Sequence, residues 1–385
     1  MVTAGELMAA RAGSVTPANF PDEEFDLYSI PAHDQGSAEI TVGRAIGSAK
    51  QVVRPGDVLL SKIVPHIRRA WVVGPNRGHR MIASGEWIVF RDERVDPRYL
   101  RHVLLGDPFH VQFMSTVAGV GGSLLRARPT FVAKIQIPLP LLDEQRRIAA
   151  TLDQADDLRT KRRETLAHLD ELTQSIFLDM FGDPSSNPMG WPMRPLGELS
   201  SIAGEYGAAV AAVDFDPERP RYVRITDVTE SGELKSEVKS PGGNVRDWSK
   251  FLLAEGDLLF ARSGATVGKT YLHRGEDGPC VFAGYLIRFR PDPASLSPVF
   301  AFHFTKTQSY KSWVTARQRV VAQPNINARE YGQELLVPVP PLDRQHEFAD
   351  RAAAVDQFRT LGRNQLARLD SLFASLQSRA FFGAL

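Results

Sequence analysis

One stretch of this 385-residue chain looks able to cradle a phosphate: Ser263-Gly264-Ala265-Thr266-Val267-Gly268-Lys269-Thr270. A nucleotide-binding loop of that kind needs four residues between its glycines so that backbone N–H groups can wrap the phosphates, and only three stand here. The nine histidines show no metal-ligand spacing, and the single cysteine, Cys280, can form neither a Cys-rich zinc site nor an internal disulfide. There is no nucleophile elbow and no Asn-Pro-Pro-Tyr or Asp-Pro-Pro-Tyr run of an amino-methyltransferase. No catalytic residue, metal or bound cofactor is therefore expected, and any chemistry must come from a partner.

The other residues suited to recognition are cations and amides gathered in loops. In the first half these are Lys62, His66, Arg68 and Arg69, then Arg77, His79 and Arg80, then Arg126 and Arg128. In the second half they are Arg262, Ser263, Lys269, His273 and Arg274, then Tyr310, Lys311, Arg317, Arg319, Gln323, Asn325 and Asn327. Arginine can take guanine bidentately, Asn and Gln can do so with adenine, and lysine mostly finds phosphate. Solvated surface explains any one of them; clusters in matching places favour nucleic acid. A net charge of only +1 excludes indiscriminate coating of nucleic acid, so phosphate binding must come from local patches.

The elements that must position these loops come from a duplication. Ile137-Pro138-Leu139-Pro140-Leu141-Leu142-Asp143-Glu144-Gln145 returns 200 residues later as Val337-Pro338-Val339-Pro340-Pro341-Leu342-Asp343-Arg344-Gln345. The match continues through Asp156, Arg159, Arg163, Leu169, Asp170 and Leu172 with Asp356, Arg359, Arg363, Leu369, Asp370 and Leu372. The same offset joins Gly56-Asp57-Val58-Leu59-Leu60 to Gly256-Asp257-Leu258-Leu259-Phe260, and weaker echoes join Gly5-Glu6-Leu7 to Gly197-Glu198-Leu199 and Asp96-Pro97 to Ser297-Pro298.

Prolines then an aspartate, Asp143 or Asp343, predict a helix start with that aspartate as cap. Apolar residues step by three and four from Leu152 and Ala155 through Leu166, Leu169, Thr173, Ile176 and Met180, and again through Val355, Leu366, Leu369, Phe373, Leu376 and Ala380. Each seam runs for about 40 residues, or about 60 Å. Gly182 and Gly383 are expected stops. Arg159, Arg163, Arg359 and Arg363 interrupt the seam and are expected to set its register by pairing with Asp156 and Asp356 across it; contact with DNA phosphate is the other reading.

The expected fold is α+β: two globular domains separated by two long antiparallel coiled-coil helices, with a pseudo-two-fold internal repeat. The expected boundaries are 1–140, a helix over 141–183, 184–340, and a helix over 341–385. Such a rod would act as a ruler, since sites on one DNA face recur about every 34 Å. No apolar run approaches the roughly 20 residues of a membrane helix, and Met1-Val2-Thr3-Ala4-Gly5-Glu6-Leu7 lacks a secretory pattern. A cytoplasmic location is expected.

The paired Pro-Leu-Pro-Leu-Leu-Asp-Glu-Gln and Pro-Val-Pro-Pro-Leu-Asp-Arg-Gln runs resemble those of the specificity subunit (HsdS) of type I restriction-modification systems. So do Gly256-Asp257-Leu258-Leu259-Phe260-Ala261-Arg262-Ser263-Gly264 and Gln323-Pro324-Asn325-Ile326-Asn327. The resemblance implies two target recognition domains, each reading half of a split DNA site. It implies helices that space them and dock two methyltransferase (HsdM) subunits; those subunits bind S-adenosylmethionine and methylate adenine. An endonuclease/translocase (HsdR) subunit is the optional further partner. The first domain departs from the pattern, with Ser61-Lys62-Ile63-Val64-Pro65 replacing the Arg-Ser-Gly run and Gly121-Gly122-Ser123-Leu124-Leu125 where Asn-Ile-Asn is expected. The alternative is a coiled-coil scaffold joining two protein-binding domains, which would show no salt-dependent DNA affinity.

Overall fold

The computed structural model describes residues 1–10, 13–119, 125–318 and 325–381. The chain divides into two compact units, Met1–Arg163 with Asn364–Leu385, and Glu164–Arg363. Both are α+β.

In the first unit a three-stranded sheet runs in the order Ala70–Val72, Val58–Ser61, Trp87–Phe90, beside a five-stranded sheet that contains Glu24–Tyr28 and Arg80–Ala83 as a parallel pair. In the second unit the order is Ser200–Tyr206, Leu286–Pro291, Leu258–Ala261, Thr270–Leu272. The apolar runs Val58–Ser61 and Leu258–Ala261 are buried at every position, which is why neither alternates with polar residues. Each is preceded by a Gly-Asp turn. Gly56 and Gly256 sit at φ +85° and +87°, a region that a Cβ disfavours. The following aspartates are buried and close the turn by accepting the backbone N–H of Arg54 (2.8 Å) and of Ala254 (2.9 Å). Arg91 neutralises Asp57 at 2.6 Å, and Arg290 neutralises Asp257 at 2.6 Å.

The duplication is carried in the backbone. Val58 pairs with Val72 and Phe90, and Leu258 with Leu272 and Phe289, so the offset is 200 at first and 199 in the next strand. The first turns of the units correspond as well: the Ala4 N–H binds Ile135 O at 2.8 Å, and the Leu196 N–H binds Leu335 O at 3.0 Å.

The long helices are Leu142–Phe181 and Leu342–Phe381. They start one residue before the aspartates: Gln145 N–H closes on Leu141 O and Gln345 N–H on Pro341 O, so residues 141 and 341 are the capping positions. Asp143 and Asp343 therefore lie inside the first turn, where a carboxylate still meets the positive end of the helix dipole. Gly182, at φ +76°, follows the first helix as expected; Gly383 lies outside the described residues.

Each unit holds the start of one long helix against the end of the other. In the first, Ile148, Ala149 and Leu152 share a core with Ala380, with Phe373 and Leu376 packed on it. In the second, Phe177, Met180 and Phe181 share a core with Phe348 and Ala352. The helix segments in each unit are therefore antiparallel. Phe177 and Phe348 are fully buried at 5.3 Å between centroids, and burying each contributes about 1.5–3 kcal/mol. The stepping read from the sequence passed through Ile176, which is only half-buried beside them.

Arg159 and Arg359 do pair across the seam, with a corrected partner. Arg159 reaches Asp370 across the seam at 2.6 Å, while Asp156 is its neighbour on its own helix at 2.8 Å. In the second unit Arg359 reaches Asp170 at 2.9 Å and also bonds Asp356 on its own helix. Arg163 bonds Asp370 at 3.0 Å, and Arg363 bonds Glu233. An i, i+3 aspartate lies too close along the same helix to be the cross-seam partner.

Candidate nucleic-acid interface

Each unit brings together, at the edge of its central sheet, the loop after the buried strand and the segment before its last short helix. In the second unit Arg262 N–H donates to Tyr285 O (3.1 Å), Ile326 N–H donates to Arg262 O (2.8 Å), and Ser263 bridges to Asn325. In the first unit Lys62 N–H donates to Glu86 O (3.0 Å), Ala127 N–H donates to Lys62 O (2.8 Å), and Ile63 bridges to Arg126. One backbone mesh is thus built twice. Its side chains differ: Lys62, Ile63, Glu86, Arg126 and Arg128 in the first unit answer to Arg262, Ser263, Tyr285, Asn325 and Asn327 in the second.

The turn that follows is also shared. Gly264 sits at φ +70° and Val64 at φ +47°, a left-handed position that a β-branched residue rarely holds. Ser61-Lys62-Ile63-Val64-Pro65 therefore keeps the geometry of the Arg-Ser-Gly run without its composition. The counterpart of Asn325-Ile326-Asn327 is Arg126-Ala127-Arg128, one residue beyond the register expected from the sequence; Gly121 to Leu124 lie outside the described residues.

In the second unit Arg262 lies 4.8 Å from the centroid of the Tyr206 ring and donates through Nε to Asn325 Oδ1 at 3.3 Å. Tyr206 and Tyr285 are 40% and 62% exposed, so two rings, a guanidinium and an amide share this edge. Asn327 has a different duty: its side chain accepts from Arg329 and Glu330 N–H and caps the helix Ala328–Glu334. Arg317 lies against Trp313 (3.8 Å) and bonds Glu334 at 2.7 Å. Lys269 bonds Glu230 at 2.8 Å. Arg319 and Gln323 lie outside the described residues.

In the first unit Arg126 spans both oxygens of Glu86 at 3.1 Å. Arg128 covers the Phe131 ring at 3.9 Å and donates to Thr116 O. Arg69 is bidentate to Asp34 at 2.7 and 2.8 Å, and Arg68 bonds Asp107 and Leu105 O. Lys62 and His66 make no side-chain hydrogen bond or ion pair with another described residue. Arg77 and Arg80 bond Asp26 and Glu23. Three residues of the second-half clusters are turned inward or committed elsewhere: Tyr310 is buried and donates to Gly268 O, His273 is buried against Tyr271, and Arg274 bonds Asp356. Burial pushes the Tyr310 hydroxyl well above its usual range.

The phosphate-loop lookalike is a 3-10 turn, Gly264–Thr266, that runs into the strand Thr270–Leu272. No helix N-terminus follows it to hold an anion. Tyr206, Tyr285 and Glu86 were missed from the sequence, although Tyr285, an aromatic just ahead of a buried strand, carried a usable signal.

Residues 188–370 match the family described as type I restriction modification DNA specificity domain. The chain is 23% identical over 310 residues to the EcoDI specificity subunit of Escherichia coli, covering 70% of this chain and 67% of that one. It is 21% identical over 271 residues to the MjaIX specificity subunit of Methanocaldococcus jannaschii, covering 66% and 60%. Its fold is similar to a chain solved in work on complex assembly of the type I R-M system (TM-score 0.58, 21% identity, covering 100% and 97%). It is also similar to the S subunit of a type I system from M. genitalium (TM-score 0.56, 13% identity, covering 98% and 95%).

Proposed function

We propose, from the match of residues 188–370 to the type I restriction modification DNA specificity domain family, that the chain is the non-catalytic, sequence-reading subunit of a type I restriction-modification complex. The observation that carries this is the mesh built twice. Identical backbone hydrogen bonds present Lys62, Glu86 and Arg126 in one unit and Arg262, Tyr285 and Asn325 in the other. A reader of a split site needs that combination: one frame, two sets of side chains, two half-site preferences.

Methyltransferase subunits are the partners, and they supply S-adenosylmethionine and the methyl transfer to adenine. An endonuclease subunit joins where the system also cuts. The long helices offer a docking surface in matched positions: Leu158 and Phe358 are 48% and 66% exposed, and Leu172 and Leu372 are 45% and 50% exposed, each pair 200 residues apart. Large exposed apolar side chains repeated at symmetric positions fit two copies of one partner. No helix among the described residues is long and apolar enough to cross a membrane.

Methylome sequencing of the source cell with and without this gene tests the proposal. Loss of adenine methylation at one split motif with a constant gap supports it. An unchanged methylome, in cells where the partner subunits are expressed, would reject it.

A further inference from the structure

The second unit contains a cleft of about 790 Å³ lined by Lys306, His303, Gln174, Arg359 and Lys311, among others. Its buried polar atoms are not all satisfied: His303 Nε2, Gln174 Nε2 and Arg359 Nε have no hydrogen-bond partner among the described residues. Lys306 donates to Thr270 Oγ1 (3.0 Å) and more weakly to Thr270 O and Glu230 O, yet it makes no ion pair with a described carboxylate. Lys311 makes none either. Of the lining acids, Asp170 pairs with Arg359, Glu233 with Arg363 and Glu230 with Lys269, while the exposed Glu171 makes no ion pair with a described residue. Holding a cation out of water is costly, and burial pulls the Lys306 ammonium down to about 7 although Glu230 and Glu233 act in the opposite direction.

The first unit shows that the fold does not require this arrangement. Gln145 and Gln345 bind the backbone N–H of Asp96 and Ser297, so helix Pro97–Leu105 corresponds to Pro298–Phe304 with an offset of 201, and His102 answers to His303. Where the second unit has Thr270, Thr305 and Lys306, the first has Ala70, Leu104 and Leu105, which are packed into apolar core. His102 Nε2 bonds Asp153 at 2.7 Å, and Arg98 stands 3.5 Å from the same carboxylate. The second unit has Ala353 and Val299 there. His303 has thus lost its partner, and one positive charge has been added where the twin is apolar.

We propose that this cleft binds an oxyanion of the phosphate type, with Lys306 as its counter-charge, Lys311 at the mouth, and His303 and Gln174 as hydrogen-bonding groups. Two sources share that chemistry: a DNA backbone phosphate and a free phosphate. Phosphate binding can be read without any DNA, so the inference stands apart from the sequence-reading function.

Inorganic phosphate titrated against the full chain and followed by 31P line broadening is the test. Wild type is expected to bind saturably. Lys306→Leu, which restores the twin's residue, should weaken binding at least tenfold while keeping a cooperative melt, and Ala353→Asp should do the same by returning a carboxylate to His303. If DNA is the source, Lys306→Leu also lowers the slope of log K against log salt by about one; if the source is free phosphate, that slope is unchanged. Binding equally tight in folded Lys306→Leu, or no dependence on Lys306 in either titration, would overturn the inference.

Discussion

Gln145 and Gln345 make the same hydrogen bonds 200 residues apart. Each is fully buried; Oε1 accepts from Asp96 or Ser297 N–H at 2.8 Å, and Nε2 donates to Pro140 O (2.9 Å) or Pro340 O (2.8 Å). A second donation goes to Arg94 O or Ser295 O. One side chain thereby ties the helix start to the preceding proline turn and to the first turn of a neighbouring helix. Gln345→Leu is expected to cost about 1–3 kcal/mol for each buried group left unpaired, read as a drop in the denaturant midpoint. A loss below 0.5 kcal/mol, on the order of a surface change, would refute this anchoring role.

Arg262→Ala is expected to relax the base preference of one half-site by about 1–3 kcal/mol and leave the other untouched; Lys62→Ala should affect the opposite half. Selection on randomised DNA with the assembled complex distinguishes the two. Equal losses at both halves would count against separate readers.

Gly264 has open space around the position of a Cβ and sits at φ +70°, so a substitution there meets only backbone strain. Gly264→Ala should cost about 1–2 kcal/mol in thermal or denaturant unfolding.

The ion pair Arg159–Asp370 is partly exposed, with 18% and 43% of the two side chains accessible. A double-mutant cycle with alanine at each position should return a coupling of about 0.2–1 kcal/mol that shrinks in high salt. A zero coupling at low salt would mean that packing alone holds the register.

His303 is held neutral by burial and by the nearby cations Lys306, Arg274 and Arg359, which lower it to about 3. Its folded value lies below the unfolded value near 6.5, so the folded state binds fewer protons between them and stability is lost as pH falls through that window. His303→Phe keeps an aromatic ring beside Phe348 and Phe302. It should flatten the slope of stability with pH below about 6 by up to about 1.4 kcal/mol per pH unit. Identical slopes in wild type and variant would show that His303 takes up its proton in the folded state.

The frame of the fold was legible in the sequence because its repeated residues do backbone work that few substitutes can do. Gly56 and Gly256 supply positive φ, Asp57 and Asp257 close turns, and Gln145 and Gln345 anchor helices. The recognition edge was less legible. The register between units slips to 199 at Glu86 and Tyr285 and to 201 at Asp96 and Ser297, so the matching of Arg126 with Asn325 emerges only from hydrogen bonds. The identity of Asn327 suggested base contact, yet its place at a helix start makes it a cap. The difference between His102 and His303 was equally hidden, because it depends on position 153 or 353, which lies on the long helix and 51 residues beyond His102 in the first unit.

The division of the long helices between the units bears on the order in which the protein can be completed. Residues 164–363 form the second unit without a break, whereas the first unit takes in residues 364–381, some 200 positions beyond its other part. Ala380, Phe373 and Leu376 close the core that Ile148, Ala149 and Leu152 begin. The half that is made earlier is therefore the half that must wait, with apolar surface uncovered, until Phe373, Leu376 and Ala380 have been made. Damage to that later helix segment falls first on the core of the earlier unit.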